Sequence, residues 1–246
     1  MKAIFSAIIS FLFPSKVAIW FLNQLGHQVH PNAYIGFSFL KCHSITLGES
    51  VSIGHFNLIR IPILRMGEGA SIRRFNRMKG PMYLLMDKKA AIGNNNSIYR
   101  GDFPITVGHA ELTLGEAAII TTRHNFDLTK SIHIGAFSTI SGFATQFWTH
   151  GFYHADEGME RIRIDGAIHI GKNVSVGSKS LINPGVSIGD KINIGAMVCV
   201  SKSLTEPGMY VSQGLRFIPN SMATIKSKLT KNEDYTVVNV YEKSLA

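Results

Sequence analysis

Every sixth residue from Ile170 to Val200 is aliphatic: Ile170, Val176, Ile182, Ile188, Ile194 and Val200. Two positions before each stands another aliphatic or small residue: Ile168, Val174, Ser180, Val186, Ile192 and Val198. The residue after each is Gly171, Gly177, Asn183, Gly189, Gly195 or Ser201, small or tolerant of a tight corner. A helix cannot use this pattern, because six steps of about 100° turn successive members about 120° apart. A short strand with i and i−2 pointing inward, followed by a bend, can. Three such sides close a triangular coil, and coils stacked about 4.8 Å apart satisfy one another's backbone groups.

The same register recurs upstream with breaks, at Ile35-Gly36, Leu47-Gly48, Ile53-Gly54, Met86, Ile92-Gly93, Ile98, Ile134-Gly135 and Ile140. The expected organisation is an apolar, helical N-terminal segment (1–29), a solenoid over 30–202 and a C-terminal tail (203–246). Interruptions are expected near 73–83 and 99–106, with a protruding loop at 147–167. For the early, broken repeats alone, alternating β-sandwich strands are a competing reading. With 45% hydrophobic and 17% charged residues, the chain is not of the disordered class.

The run from Ile168 through Gly171-Lys-Asn-Val-Ser-Val-Gly to Val200 resembles the C-terminal coils of the hexapeptide-repeat acyltransferases, such as galactoside and maltose acetyltransferases. The stretch Thr122 to His150, with Arg-His-Asn-Phe-Asp and Phe-Trp-Thr-His, is closer to the O-acetyltransferases of bacterial surface polysaccharides. The resemblance covers roughly residues 85–218. It implies a left-handed parallel β-helix, against the usual right-handed crossover preference, a homotrimer with active sites between subunits, and transfer of an acetyl group from acetyl-CoA to a sugar hydroxyl. The sugar would belong to a surface polysaccharide or to its lipid-linked or nucleotide-linked precursor.

Such a transfer needs a base for the hydroxyl proton and a donor for the developing oxyanion. His150, at the edge where the repeat breaks off and before it resumes at Ile170, matches the family's catalytic histidine. His154, four residues on, is the runner-up and a candidate for shaping the acceptor pocket. Asp127 either orients an imidazole or contacts the sugar, provided its coil stacks beneath His150; His124 and Gln146 are further acceptor-side candidates. His133 and His169 alternate with inward aliphatics and should point outward.

No Walker or dinucleotide fingerprint is present. The positions matching the family's coenzyme A contacts are Ser178, Ala196 and Ser201, with Lys202 and Arg216 near the nucleotide phosphates; the altered ending Gly214-Leu215-Arg216 loosens the register of the last. Cys42 and Cys199 form neither a disulfide framework nor a zinc pattern, and no metal is expected.

A formal charge of +9 points to an anionic partner. The basic residues are not interleaved with aromatics as in a nucleic-acid groove, so nucleic acid is not expected. Met1 to Phe13 is almost wholly apolar but ends at Pro14, short of the ~20 residues a membrane span needs. Residues 1–22 either cap the solenoid or lie on a membrane surface, and the expected location is cytoplasmic, where coenzyme A is found. Two alternatives stand beside acyl transfer. One is a metal hydro-lyase of the γ-carbonic anhydrase kind using His124, His150 and His154; the other is a non-catalytic binding solenoid, disfavoured because outward residues such as Lys172, Ser175, Ser187 and Asn193 do not repeat.

Overall fold

The computed structural model describes residues 1–154, 157–159, 161–212, 216–219, 227, 230–232 and 240–242. It is a left-handed parallel β-helix. Three faces of stacked strands run its length: a first of eight strands, from Gln28–Val29 to Ser187–Ile188; a second of ten, from Tyr34–Ile35 onward; and a third of eight, from Phe39–Lys41 to Cys199–Val200. Within a coil the chain passes a first corner between faces one and two, a second between faces two and three, and a third leading to the next coil.

The aliphatic columns line the prism: Ile168, Ile170, Val176, Ile182, Ile188, Ile194 and Val200 are all buried. The pairing carries one coil onto the next in register, as in Ile182 opposite Val200 and Val176 opposite Ile194. Upstream the columns continue unbroken, with Ile45 opposite Leu64, Leu64 opposite Leu84 and Leu84 opposite Leu112. These coils are a residue or two longer than the C-terminal ones. No interruption occurs at 73–83, where Arg77–Lys79 and Met82–Met86 are regular strands. The solenoid starts at Gln28 rather than 30 and outlasts residue 202, since Gly208–Val211 adds to the second face beside Ile192–Ile194. Arg216–Ile218 then turns back antiparallel.

A column of buried polar side chains runs up the second corner. The backbone N–H of Asn57, Asn76, Asn96 and His124 each donates, at 2.9 Å, to the side chain one coil below: Ser38 Oγ, Asn57 Oδ1, Asn76 Oδ1 and Asn96 Oδ1. The Thr145 N–H closes the series on His124 Nδ1 at 3.1 Å. Without these partners the corner would bury unpaired peptide groups.

Two helices close the N-terminal end, α1 (Lys2–Leu12) and α2 (Ser15–Gln24), separated at Pro14. They cover the open edge of the first coil. The Leu40 N–H donates to Ser10 Oγ (3.1 Å), that of Ser38 to Ser10 O (3.2 Å) and that of Ile35 to Ser15 Oγ (2.9 Å). Among the described residues no helix is long and apolar enough to cross a membrane.

Two insertions leave the third corner. One follows Tyr99, where Arg100 is buried and its guanidinium donates to Pro81 O, Val107 O and Gly108 O, holding the base of a loop that ends at Ala110. The other is a hairpin of His150–His154 with Arg161–Asp165. It departs later than the expected loop, because Gln146–Phe147 still pairs within the third face.

Candidate active site

Asp127 ends a strand of the fifth coil (Asn125–Asp127), and His150 opens the hairpin one coil above it. Stacking puts the His150 Nδ1 2.8 Å from Asp127 Oδ2, although the two are 23 residues apart in sequence. The carboxylate is only 2% exposed. A buried charge needs several donors, and here Oδ2 also accepts from the Thr149 hydroxyl (2.9 Å) and backbone N–H (3.1 Å), while the Thr129 hydroxyl donates to Oδ1 (3.1 Å). With Nδ1–H assigned as the donor to an acceptor-only carboxylate, His150 Nε2 carries the free lone pair. The pair has the geometry of an oriented general base.

The surroundings are aromatic and project from the solenoid. Trp148 and Phe152 meet the His150 ring edge-on, at 6.0 and 5.8 Å between centroids. Tyr99 lies directly below Asp127 on the third face; burial, then the Asp127 charge, hold its hydroxyl above the usual tyrosine range. Arg163 on the hairpin forks onto Asp165 (2.7 and 2.9 Å) and donates to Ile105 O (2.7 Å). This contact ties hairpin to loop across the corner that carries Asp127. Phe103, Ile105 and Val107 stand exposed on that loop.

The other candidates separate. Ser201 and Lys202 follow the eighth-coil strand Cys199–Val200 and so share the third corner with His150. Ser178 and Ala196 lie on the second corner, across the third face, where the Met197 N–H donates to Ser178 O. Gln146 is exposed on the third face between these corners, with its Oε1 accepting from Trp148 Nε1 (3.0 Å). His154 is exposed on the hairpin. The backbone of Arg216 pairs with Val211, and its side chain lies outside the described residues.

His124 does not face an acceptor. It is 0% exposed, takes the Thr145 N–H on Nδ1 and sits 2.9 Å from Thr121 Oγ1 through Nε2. Burial pushes its pKa down to about 4, against weaker opposing hydrogen bonds, so it is a neutral rung of the polar column. Among the described residues no three His, Cys, Asp or Glu side chains converge to hold a metal ion. His133 and His169 stack on one another on the first face, 4.8 Å apart.

Thr149, Thr129 and Tyr99 were absent from the sequence-based set. For the threonines a signal existed in their closeness to His150 and Asp127; for Tyr99 only the stacking supplies it.

No protein-family model matches the chain. Two Staphylococcus aureus proteins, of strains Mu50 and N315, are each 35% identical over 77 residues; both are named, by inference, as acetyltransferases. The match takes in 31% of this chain, which spans only 37% of the length of those relatives. Among solved structures, a maltose O-acetyltransferase from Clostridium difficile 630 aligns at 23% identity and a TM-score of 0.36, over 63% of this chain and 67% of its own. AntD, an N-acyltransferase from Bacillus cereus crystallised with dTDP and 3-hydroxybutyryl-CoA, aligns at 18% and 0.43, over 87% and 93%. The polysialic acid O-acetyltransferase OatWY aligns at 16% and 0.38, over 79% and 84%.

Proposed function

We propose that this protein is an acetyl-CoA-dependent O-acetyltransferase acting on a sugar hydroxyl of a surface polysaccharide or of its lipid- or nucleotide-linked precursor. The single observation that carries the reading is the buried Asp127 carboxylate held 2.8 Å from His150 Nδ1, which leaves Nε2 as a base at the rim of the solenoid. His150 Nε2 takes the proton of the acceptor hydroxyl as its oxygen attacks the thioester carbonyl. As the C–S bond breaks, His150 returns that proton to the departing thiolate, so no covalent acyl-protein is needed. Asp127 keeps the imidazole in the right tautomer and stabilises the imidazolium, and a backbone N–H receives the developing oxyanion.

For the donor, Ser178 and Ala196 offer small side chains on the second corner, while Ser201 and Lys202 lie on the third, two coils beyond His150. One chain presents these sets on opposite edges of its third face. A single slot using both is formed when the third corner of one copy meets the second corner of another, which supports a homotrimer with its active sites between subunits. Arg216 is assigned to the nucleotide phosphates on the resemblance alone. His154 and Gln146, both exposed near the rim, are assigned to the acceptor side, with Gln146 acting through Trp148.

The test is release of free thiol from acetyl-CoA against a panel of sugars, nucleotide sugars and extracted surface glycan. We expect acceptor-dependent release that His150→Ala abolishes while coenzyme A binding stays within about twofold. Undiminished transfer by that variant would remove the mechanism.

A further inference from the structure

A cleft of about 560 Å³ opens on the second corner, walled by Arg74, Phe75, Asn95, Arg123, Gly142 and Phe143. Both guanidiniums are exposed, and among the described residues neither is ion-paired to a carboxylate. Toward the C-terminal coils the cleft runs into Ser178, whose Oγ accepts from the Phe143 N–H, and Lys179, whose ammonium lies 5.3 Å from the Phe143 ring centroid.

Toward the N-terminus the same corner becomes an exposed aromatic ladder. Phe75 stacks on Phe56 at 5.5 Å and 19°, Phe56 meets His55 at 5.9 Å, and His55 meets Phe37 at 5.6 Å. Phe56 and Phe75 hold φ of +61°, strained for a bulky residue and easily taken by asparagine, as Asn95 does one coil on at +58°. A single chain gives no reason for phenylalanine there, and in it each of the two residues is more than half exposed (56% and 54%).

Past Phe37 the corner is tied to the α1–α2 junction through Ser38 and Ile35. Helix α1 is inverted for a helix in water: Ala3, Ser6, Ala7 and Ser10 face the solenoid, while Ile4, Phe5, Ile8, Phe11 and Leu12 face out. Trp20 and Val17 of α2 are exposed as well, and the two helices carry only two charged side chains, Lys16 and Lys2, the latter reaching back to Gly26 O. No carboxylate precedes Glu49 in the sequence, so the apolar cap suits an anionic lipid surface.

One edge therefore carries, in order, small residues, arginines, aromatics and an apolar helical cap. We propose that this edge takes the acceptor as a sugar joined through a diphosphate to a lipid, a choice that rests on the sugar acyltransfer reading above. Arg74 and Arg123 hold the diphosphate, Phe75, Phe56 and Phe37 line the first stretch of the lipid, and the α1–α2 face lies on the bilayer that holds the rest. A soluble nucleotide-linked sugar would use the arginines but not the ladder.

Calorimetric titrations of the full-length protein with farnesyl diphosphate, inorganic diphosphate, a nucleoside diphosphate and coenzyme A test the assignment. Farnesyl diphosphate is expected to bind at least about tenfold more tightly than either other diphosphate. Joint Arg74→Ala and Arg123→Ala should weaken it about tenfold or more and leave coenzyme A binding unchanged. Joint Phe56→Asn and Phe75→Asn, which relieves backbone strain and so should not unfold the chain, should erase the preference for the prenyl compound. In flotation with phosphatidylcholine vesicles, phosphatidylglycerol should promote binding, and Phe5→Ser with Phe11→Ser should abolish it.

Loss of coenzyme A binding in the arginine variant would give the cleft to the donor instead. Equal or tighter binding of the nucleoside diphosphate, or a protein that ignores vesicles and self-associates through α1, would likewise overturn the proposal. Prenyl diphosphate binding without thiol release on any acceptor would sink the acyltransfer reading while leaving the cleft's ligand as assigned.

Discussion

Asp127 Oδ2 stands 2.8 Å from His150 Nδ1, and Thr149, the residue just before that histidine, donates to the same oxygen from both its hydroxyl and its backbone. The carboxylate is thus fixed before the imidazole arrives on it. Replacing Asp127 with Asn keeps the shape but removes the acceptor-only group that sets the tautomer. We expect kcat to fall by about 10²–10⁴-fold with the KM for acetyl-CoA little changed. Steady-state thiol release reads both, and a variant with full kcat would show that the pair has no part in the chemistry.

Thr149 carries the carboxylate in a different way. It is fully buried, and its hydroxyl also accepts the Lys130 N–H at 2.9 Å. Thr149→Val preserves volume but strands Lys130 N–H and weakens the hold on Asp127. Urea denaturation should show a loss of about 1–3 kcal/mol, while Thr149→Ser, which keeps the hydroxyl, should recover most of it together with the activity.

The polar column gives a pH prediction. His124 and His27 are both pushed from 6.5 to about 4, His27 by burial and then by the Lys2 charge. Above pH 6.5 both are neutral in folded and unfolded chains, and their contribution is complete. As pH falls from 6.5 toward 4 the unfolded chain takes up protons that the folded one refuses, so stability drops, by up to about 3 kcal/mol for His124. His124→Asn continues the asparagine series with a side chain that does not titrate. Its stability loss between about pH 7 and 4.5 should be roughly half that of the parent, His27 supplying the rest; an unchanged loss would show that His124 does not stay neutral.

The C-terminal coils were legible in sequence because their turns are uniform, so one column of isoleucines and valines suffices to read them. Upstream turns gain a residue or two at the corners, which shifts the column against the six-residue count while leaving the coils stacked. That is why 73–83 reads as a break and folds as regular strand. The place of His150 at the edge of the repeat is legible in the sequence, and there the hairpin departs. The sequence does not fix the partner of His150, since proximity of Asp127 depends on which coil lies beneath, nor does it show the burial of His124, whose neighbours Asn96 and Thr145 are adjacent only across coils.

Close stacking also makes some glycines irreplaceable. A Cβ on Gly93 would lie 2.1 Å from the Thr121 carbonyl oxygen and 2.8 Å from its carbon. These are backbone atoms of the next coil, so relief requires the coils to part. Gly93→Ala should destabilise by about 1–3 kcal/mol or more, visible as a lower Tm, whereas Gly108→Ala, in open space though at φ +74°, should cost about 1 kcal/mol from backbone strain.

The division of the site between corners can be tested by mixing chains. His150 lies on the third corner and Ala196 on the second, so in the trimer proposed above each slot would draw one from each of two neighbours. Chains bearing His150→Ala and chains bearing Ala196→Trp should both be inactive alone. When the two are co-assembled at equal ratio, a slot is intact if an Ala196→Trp chain supplies its histidine and a His150→Ala chain supplies the small residue opposite. Random assembly makes that pairing at about one slot in four, so about a quarter of the parent activity should return. Mixtures that stay inactive, despite mixed trimers seen by native mass spectrometry, would place both residues' work within a single chain.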